Sequence, residues 1–382
     1  MRSPKKYRLP DSRNSPNSGF YWLLVILALA AVAWVWWRAA KTPEPSKSPA
    51  KKTLATPTTN QPAHLPLGVA VVPRTITPWT NAPPAAKAIL AATNGTFPRP
   101  VQNLLEAQLA LERMGISSGS LDGKIGSQTR AAMRAFQQEE KIPATGDLDA
   151  DTTSRLILAA PDFVNYVVTS NDLARLQPLG KTWLAKSQQT ALDYETVLEL
   201  VAEKSHAHPD LIRRLNPGVD WTNVATGTVL QIPDADRDDP PAKAAFVKIS
   251  LSGKTLEAFG ADTNLLAHFP CSIAQRVEKR PVGELHVAVV APDPNYTFDP
   301  AVFPESPEAQ QLKMKLVLPP GPNNPVGVVW IGLDKPGYGM HGTPSPELVG
   351  RTESHGCFRL ANWNAAYLLK LVWIGMPVYV EP

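Results

Sequence analysis

An uninterrupted apolar run near the start of the chain extends from Phe20 to Trp37. It has about the minimum length of a helix that crosses a bilayer, and aromatic residues stand at both ends, as they do at membrane interfaces. The pattern predicts a transmembrane anchor at residues 19–38, preceded by a basic tail at residues 1–18. Basic residues flank the run on both sides, so charge alone leaves its orientation open. A cleaved signal peptide is the alternative, although the small residues that would form the cleavage site lie inside the run.

Residues 39–100 show neither a helical nor a strand period, and Pro, Thr, Ala and Lys dominate them. The whole chain contains 39 prolines, about twice the usual share. A segment of this composition buries too little apolar surface to offset the entropy lost on ordering. It is therefore predicted to be an extended, proline-rich linker.

Helical spacing of apolar residues begins after Val101 and predicts three short helices within residues 101–160. The first ends at Gly115, the second runs from a capping Ser127 to Gln138, and the third is capped by Asp151 and ends near residue 158. Turn-rich loops separate them. On this pattern alone the segment is a small three-helix bundle.

Residues 163–234 carry a weaker pattern of mixed type. Apolar alternation predicts a strand at residues 166–168, two helices at residues 194–204 and 209–215, and a closing strand at residues 227–233. The segment is thus predicted to be a small α+β domain.

Alternating β patterns dominate residues 243–382, which are predicted to form a mostly β domain. One helix is expected at residues 363–373, with Asn362 as its N-cap. The predicted strands lie at residues 245–250, 255–259, 265–269, 284–290, 328–332 and 377–380. The complete chain is therefore predicted to be a multidomain protein.

Charge and cysteine content narrow the possible functions. The net charge of +4 gives no basic stripe of the kind that nucleic-acid binding requires, so no nucleic-acid partner is expected. Two cysteines, Cys271 and Cys357, are too few for a disulfide framework or a multi-thiolate metal site. For a cysteine that stands among histidines, as Cys357 does, a nucleophilic role and a buried apolar role are both open.

Cys357 stands among residues that suit a nucleophile. Only a small part of a free thiol is ionised at neutral pH, so the cysteine needs a base, and His341 and His355 are the candidates. Gly356 allows a sharp turn, and its N–H and that of Cys357 are candidate oxyanion donors. Arg359 is a candidate for binding a substrate carboxylate, and Arg351 would assist it.

Two alternatives concern the same residues. A zinc site built from the two histidines, Cys357 and His286 matches no common zinc spacing, and the nearby arginine would oppose a cation, so no metal is expected. Cys271 has two open interpretations: an inert residue of a core strand, or a redox partner of Cys357 in an oxidising compartment.

The accessory segments resemble two wall-binding families. The run from Leu121-Asp122-Gly123 through Thr129-Arg130-Ala131-Ala132 to Gly146-Asp147-Leu148-Asp149 resembles the three-helix peptidoglycan-binding domain. Residues 163–234 are similar to the LysM glycan-binding module, with Leu215-Asn216-Pro217 and the closing strand as the matching parts. Both resemblances imply binding to peptidoglycan; for the second segment a purely structural spacer is the alternative.

The carboxyl-terminal domain resembles the L,D-transpeptidase catalytic domain of the YkuD fold. The matching motifs are Tyr338-Gly339-Met340-His341-Gly342-Thr343 and Ser354-His355-Gly356-Cys357-Phe358-Arg359-Leu360. The resemblance implies that Cys357 is the nucleophile and His341 the proton acceptor and donor, without a cofactor. It places supporting or substrate-binding residues around them: His355, Gly356, Arg359, Ser354, Tyr338, Gly342, Thr343 and Arg351.

Two segments depart from the family pattern. Residues 280–285 replace the usual Thr-Pro-x-Gly-x-Phe, and residues 292–313 have the character of an added loop or lid.

The resemblance implies acyl transfer from a stem tetrapeptide, through a Cys357 thioester, to an amine of a second stem or of an envelope lipoprotein. A carboxypeptidase or peptidoglycan hydrolase that uses the same cysteine is one alternative, and a wall-binding protein with an inactive catalytic domain is another. Because peptidoglycan lies outside the cytoplasmic membrane, the expected layout is a single-pass inner-membrane protein whose folded domains are periplasmic.

Overall fold

The computed structural model describes residues 87–88 and 96–382, except residues 304, 305, 313, 353 and 355. The predicted anchor and most of the predicted linker lie outside the described residues. Among those that are described, no helix has the length and apolar character needed to cross a bilayer.

The helical module at residues 101–160 contains the three expected helices: α1 (Leu104–Arg113), α2 (Ser127–Glu139) and α3 (Ala150–Arg155). Two short strands precede them, β1 (Lys87–Ala88) and β2 (Arg99–Pro100), and β2 pairs with β3 (Ile157–Leu158).

Two predicted helix caps in this module are wrong. Gly126 is the N-cap of α2, and Ser127 is the first helical residue. Asp149, rather than Asp151, caps α3 by accepting from the Thr152 N–H, and the helix ends at Arg155. In a turn rich in polar residues, the sequence pattern does not show which side chain faces the helix start.

The second module, residues 163–234, has strands β4 (Phe163–Val167) and β5 (Val229–Pro233), which pair antiparallel, while β1 pairs with the other edge of β4. Between the strands lie α6 (Val197–Lys204) and α7 (Pro209–Leu215). Two further short helices, α4 (Ser170–Ala174) and α5 (Trp183–Ser187), account for the extra length. The helix expected from residue 194 begins at Val197, because Thr196 caps it.

The carboxyl-terminal domain is built on an eight-stranded sheet in the order β14-β13-β12-β9-β15-β6-β7-β8. The strands are β6 (Phe246–Ser250), β7 (Thr255–Phe259), β8 (Leu265–Pro270), β9 (Gly283–Pro292), β12 (Val329–Leu333), β13 (Gly339–His341), β14 (Phe358–Arg359) and β15 (Pro377–Glu381). Ser272, just after β8, pairs with Arg359 of β14, so the two edges of the sheet meet.

Helix α9 (Asn362–Leu371) packs against this sheet through Ala365, Leu368 and Leu371, which are fully buried. The predicted cap is wrong: Ala361 is the N-cap, and Asn362 is the first helical residue. Its side chain is fully buried and hydrogen-bonds residues outside the helix. Asn362 is therefore available for contacts elsewhere, which are described below.

The described part of residues 292–313 is folded. It contains β10 (Tyr296–Phe298) and α8 (Pro307–Gln311), and β10 forms an antiparallel hairpin with β11 (Leu316–Leu318). Trp183 of α5 stacks on Phe298, with ring centroids 4.3 Å apart. The second module thus supports this hairpin.

Candidate active site

Parallel pairing of β13 and β14 brings the two sequence motifs together. His341 lies in register with Arg359, and Met340 with Phe358. Cys357 lies immediately before β14, two residues from Arg359. Residues two apart in an extended segment project to the same side, so the side chains of Cys357 and Arg359 do so here. His341, Arg359 and Cys357 therefore share one face at the edge of the sheet.

Trp330 of β12 lies opposite His341 and completes this face. Its ring stacks on the imidazole with centroids 5.6 Å apart. Cys357 packs on the small apolar cluster formed by Ala291, Val326 and Trp330. The Trp330 ring thus packs against both His341 and Cys357.

His341 is held as a neutral base. The side chain is buried, and Nδ1 lies 2.6 Å from the Gly342 carbonyl oxygen. Since a carbonyl only accepts, Nδ1 carries the proton and Nε2 keeps its lone pair. Burial, reinforced by the charge of Arg359, lowers the pKa of His341 to about 4. At neutral pH the imidazole can accept a proton at Nε2.

Cys357 is a partly exposed, free cysteine whose Sγ lies 3.5 Å from the Gly337 carbonyl oxygen. Burial of the sulfur raises the pKa of Cys357 to about 11, although the Gly339 backbone and Arg359 act in the opposite direction. The resting pair is therefore a neutral thiol and a neutral imidazole. Ionisation of the thiol requires transfer of its proton to a base.

Arg359 borders a cavity of about 220 Å³ whose lining also includes Thr343, Ser345 and Ser272. Within the described part of the chain, no carboxylate forms a salt bridge with its guanidinium. A cation beside such a cavity suits a substrate carboxylate. Arg351 lines a different cavity, of about 350 Å³, together with residues of the helical module.

The turn before Cys357 is organised by Ser354. This buried side chain donates to the Cys357 carbonyl at 2.6 Å and accepts from the Gly356 N–H at 3.2 Å. An oxyanion role for Gly356 therefore requires that its N–H leave Ser354. Tyr338 lies beside Gly356, and burial together with Cys357 raises the pKa of its hydroxyl. His355 lies outside the described residues.

Two residues of the site were not predicted from the sequence. Tyr296 of β10 packs at the Cys357 cluster, and burial, with Cys357 contributing, raises the pKa of its hydroxyl to about 12. Asn362 accepts from the Thr343 N–H at 3.0 Å and from the Val328 N–H at 3.3 Å through Oδ1. No sequence pattern distinguishes Tyr296 as a site residue, and Asn362 was predicted only as a helix cap.

Gly342 is required by this close packing. A Cβ at Gly342 would overlap Asn362 Oδ1, and so would a Cβ at Gly327. The glycine predicted as a site residue thus allows an amide to approach the loop that holds His341.

The remaining candidates lie away from this face or in the core. His286 pairs at the surface with Asp334 at 3.1 Å and with Glu284 at 3.3 Å. Cys271 is fully buried among apolar residues, and burial raises its pKa. Both cysteines are free thiols.

Two modules of the chain match known protein families. Residues 244–380 match the L,D-transpeptidase catalytic domain, YkuD, and residues 101–156 match a putative peptidoglycan binding domain. The chain therefore contains two regions that match family models: the mostly β domain matches the L,D-transpeptidase catalytic domain, and the helical module matches the putative peptidoglycan binding domain.

Similar proteins carry matching names. The putative L,D-transpeptidase YkuD of Bacillus licheniformis is 27% identical over 186 residues, which cover 48% of this chain and 93% of that protein. The probable L,D-transpeptidase YbiS of Escherichia coli is 29% identical over 164 residues, which cover 43% of this chain and 53% of that protein. The crystal structure of L,D-transpeptidase 3 from Mycobacterium tuberculosis is 18% identical, covers 42% of this chain and 77% of its own, and gives a TM-score of 0.29. A score this low does not by itself establish a common fold.

Proposed function

We propose that the chain is a peptidoglycan L,D-transpeptidase that forms a thioester on Cys357. The observation that carries this proposal is the shared face of His341, Cys357 and Arg359, where the histidine is a neutral base with a free Nε2. The family match of residues 244–380 supports the same assignment.

In the first step, His341 Nε2 accepts the thiol proton and Cys357 Sγ attacks the carbonyl carbon of the third stem residue. The peptide C–N bond to the terminal D-alanine breaks, and His341 returns the proton to the departing amine. Arg359 holds a substrate carboxylate in the adjoining cavity. The product of this step is an acyl-enzyme thioester.

In the second step, an amine attacks the thioester and passes a proton to His341, which returns it to the cysteine sulfur. The acceptor is an amine of a second stem or of an envelope lipoprotein. Resolution by water would instead give an L,D-carboxypeptidase. Oxyanion stabilisation by the Gly356 and Cys357 N–H groups, and support from His355, belong to this proposal.

The helical module would hold the enzyme on the cell wall, and its match to a putative peptidoglycan binding domain supports this role. The second module is proposed to be a LysM-like glycan-binding unit. Because peptidoglycan lies outside the cytoplasmic membrane, the folded domains would be periplasmic, tethered by the predicted anchor at residues 19–38.

The test uses the full chain with tetrapeptide muropeptides. Wild type should release D-alanine and form 3→3 cross-linked dimers, whereas Cys357→Ala should form neither product. Cys271→Ala, which changes the buried thiol, is the matched control and should keep both activities. D-alanine release without dimers would assign a carboxypeptidase, and full activity of Cys357→Ala would refute the proposal.

A further inference from the structure

Glu203, in the last turn of α6 of the second module, is buried at the boundary with the catalytic domain. Both carboxyl oxygens lie near Asn362 Nδ2, at 3.1 and 3.2 Å, and Tyr194 donates to one of them at 3.3 Å. In the described part of the chain no lysine, arginine or histidine forms a salt bridge with it. Burial raises its pKa to about 8.

Such a residue is costly as a simple contact between modules. Burying a carboxyl group beside neutral partners is unfavourable, and an apolar side chain of similar volume commonly stabilises a protein better. The carboxyl group does, however, have a directional effect that an apolar side chain lacks. Its carbonyl oxygen accepts a hydrogen bond in either protonation state, and the Asn362 Nδ2 lies near both carboxyl oxygens, so the donor end of the amide faces it.

Asn362 has a single amide orientation that satisfies its surroundings. Nδ2 donates to Glu203 and to the Pro322 carbonyl at 3.1 Å, and both partners offer acceptor oxygens. Oδ1 consequently faces the N–H groups of Thr343 and Val328. A flipped amide would place two donors against two donors.

One peptide group then connects Asn362 to His341. The N–H of Thr343 and the C=O of Gly342 belong to the same planar unit, so fixing one fixes the direction of the other. Asn362 holds this N–H, and the carbonyl contacts His341 Nδ1 at 2.6 Å. Three successive hydrogen bonds therefore join Glu203 to the imidazole.

We propose that Glu203 is a positioning residue of the second module that, through Asn362 and the Gly342–Thr343 peptide, fixes the tautomer and orientation of His341. The second module is then a part of the catalytic unit, in addition to any glycan binding. The backbone docking of this module supports the arrangement: Leu192 N–H donates to the Pro320 carbonyl at 2.8 Å, and Asn323 N–H donates to the Leu192 carbonyl at 2.9 Å.

The inference rests on the proposed function for its kinetic test, and a spectroscopic test is independent of it. Glu203→Leu removes the acceptor but keeps the packing, and Glu203→Gln restores an acceptor. Asn364→Ala is the matched control: Asn364 lies two residues after Asn362, is equally buried, and donates to Ser117 of the helical module at 3.1 Å. Within the described part of the chain, its side chain hydrogen-bonds Ser117 and Arg237 and not the His341 loop.

In the full chain, Glu203→Leu should lower kcat about 10- to 100-fold, the usual effect of removing a group that orients a catalytic ligand, with KM changed less than about twofold. Glu203→Gln should recover most of this loss, and Asn364→Ala should keep kcat. If Glu203→Leu and Asn364→Ala lose kcat equally, the effect is only loosening of an interface and the inference is overturned.

The second readout is the imidazole ¹⁵N spectrum of labelled protein, in which His341 is assigned among the seven histidines by a His341→Gln variant. Wild type and Glu203→Gln should show the Nδ1–H tautomer, and Glu203→Leu a mixture of tautomers. An unchanged tautomer in folded Glu203→Leu would overturn the inference. Failure of the proposed function would appear differently, as an inactive wild type whose tautomer still responds to Glu203.

Discussion

Two glutamates are buried where accessory modules meet the rest of the molecule, and their surroundings differ. Glu112, in the helical module, lies 2.9 Å from His206 Nδ1 and 3.5 Å from a nitrogen of Arg237. Burial disfavours its charge, but the charge of Arg237 and the hydrogen bond with His206 outweigh this effect, and the pKa of Glu112 is lowered. Glu203 has neutral partners, and its pKa is raised.

The two environments indicate different contributions of the two contacts. At the first boundary, a charge network holds the modules together: Arg237 also lies over the Tyr367 ring, 4.3 Å from its centroid. At the second boundary, the carboxyl group stabilises little and instead orders an amide next to the catalytic loop. We therefore expect the first boundary to be structural and the second to belong to the proposed active site.

The largest expected effect comes from Gly342→Ala, which inserts a Cβ where Asn362 Oδ1 lies. Displacing the loop by about 1 Å moves His341, so kcat for D-alanine release should fall about 100-fold or more. Gly218→Ala, in the second module with open space around its Cβ, is the control and should keep kcat. If folded Gly342→Ala keeps the wild-type kcat, the contact between Asn362 and the His341 loop does not affect catalysis.

The next effect separates the two glutamates by stability at pH 7. Glu112→Gln leaves Arg237 buried without its charge partner, and loss of one member of a buried pair costs about 3–5 kcal/mol. Glu203→Gln removes no ion pair and replaces a buried carboxyl group whose charged form is disfavoured, so it should not lower the unfolding free energy. Urea unfolding followed by tryptophan fluorescence measures the unfolding free energies of both variants. Equal losses of stability would contradict the proposed difference between the two glutamates.

The pH dependence of stability should have opposite signs for the two carboxyls. The folded-state pKa of Glu203 is about 8, above its unfolded value, so its contribution is complete below pH 4.5 and is lost as the pH rises through 8. Glu112 has a lowered pKa, so its contribution is present above pH 4.5 and is lost as the pH falls through the folded value.

Unfolding curves at several pH values measure both contributions. Relative to wild type, Glu203→Gln should become progressively more stable between pH 4.5 and 8, by at most about 1.4 kcal/mol per pH unit. Glu112→Gln should lose its relative disadvantage at acidic pH. Parallel curves for wild type and Glu203→Gln would mean that Glu203 is ionised in the folded protein.

Local pattern predicted the elements that depend on local residues. The helix at Pro209–Leu215 lies where the sequence placed it, with Pro209 at its first turn, and the strand Thr255–Phe259 also has its expected bounds. The motifs around His341 and Cys357 do meet in space, because β13 and β14 are neighbours. Their catalytic roles remain predictions.

The sequence could not predict the contact of Glu203 with Asn362. The two residues are 159 positions apart, and their pairing depends on how the second module packs on the catalytic domain. Asn362 also had a good local interpretation as a helix cap, which hid its role at the site. A buried polar network that spans modules leaves no periodic signal in either segment.

The smallest expected effect tests the claim that the first boundary is structural only. Ser117 is fully buried in the helical module, and its hydroxyl accepts from Asn364 Nδ2 at 3.1 Å and from the Gly119 N–H at 3.3 Å. Ser117→Ala removes these bonds but keeps the backbone pairing of Ser117 with His268, so it should cost about 1 kcal/mol.

Because neither Ser117 nor Asn364 hydrogen-bonds the His341 loop among the described contacts, kcat and KM of Ser117→Ala should equal those of wild type. Urea unfolding and steady-state D-alanine release on the same preparation measure the two quantities together. A tenfold loss of kcat at this small cost in stability would show that the helical module also orders the active site. The two boundaries would then differ in charge but not in function.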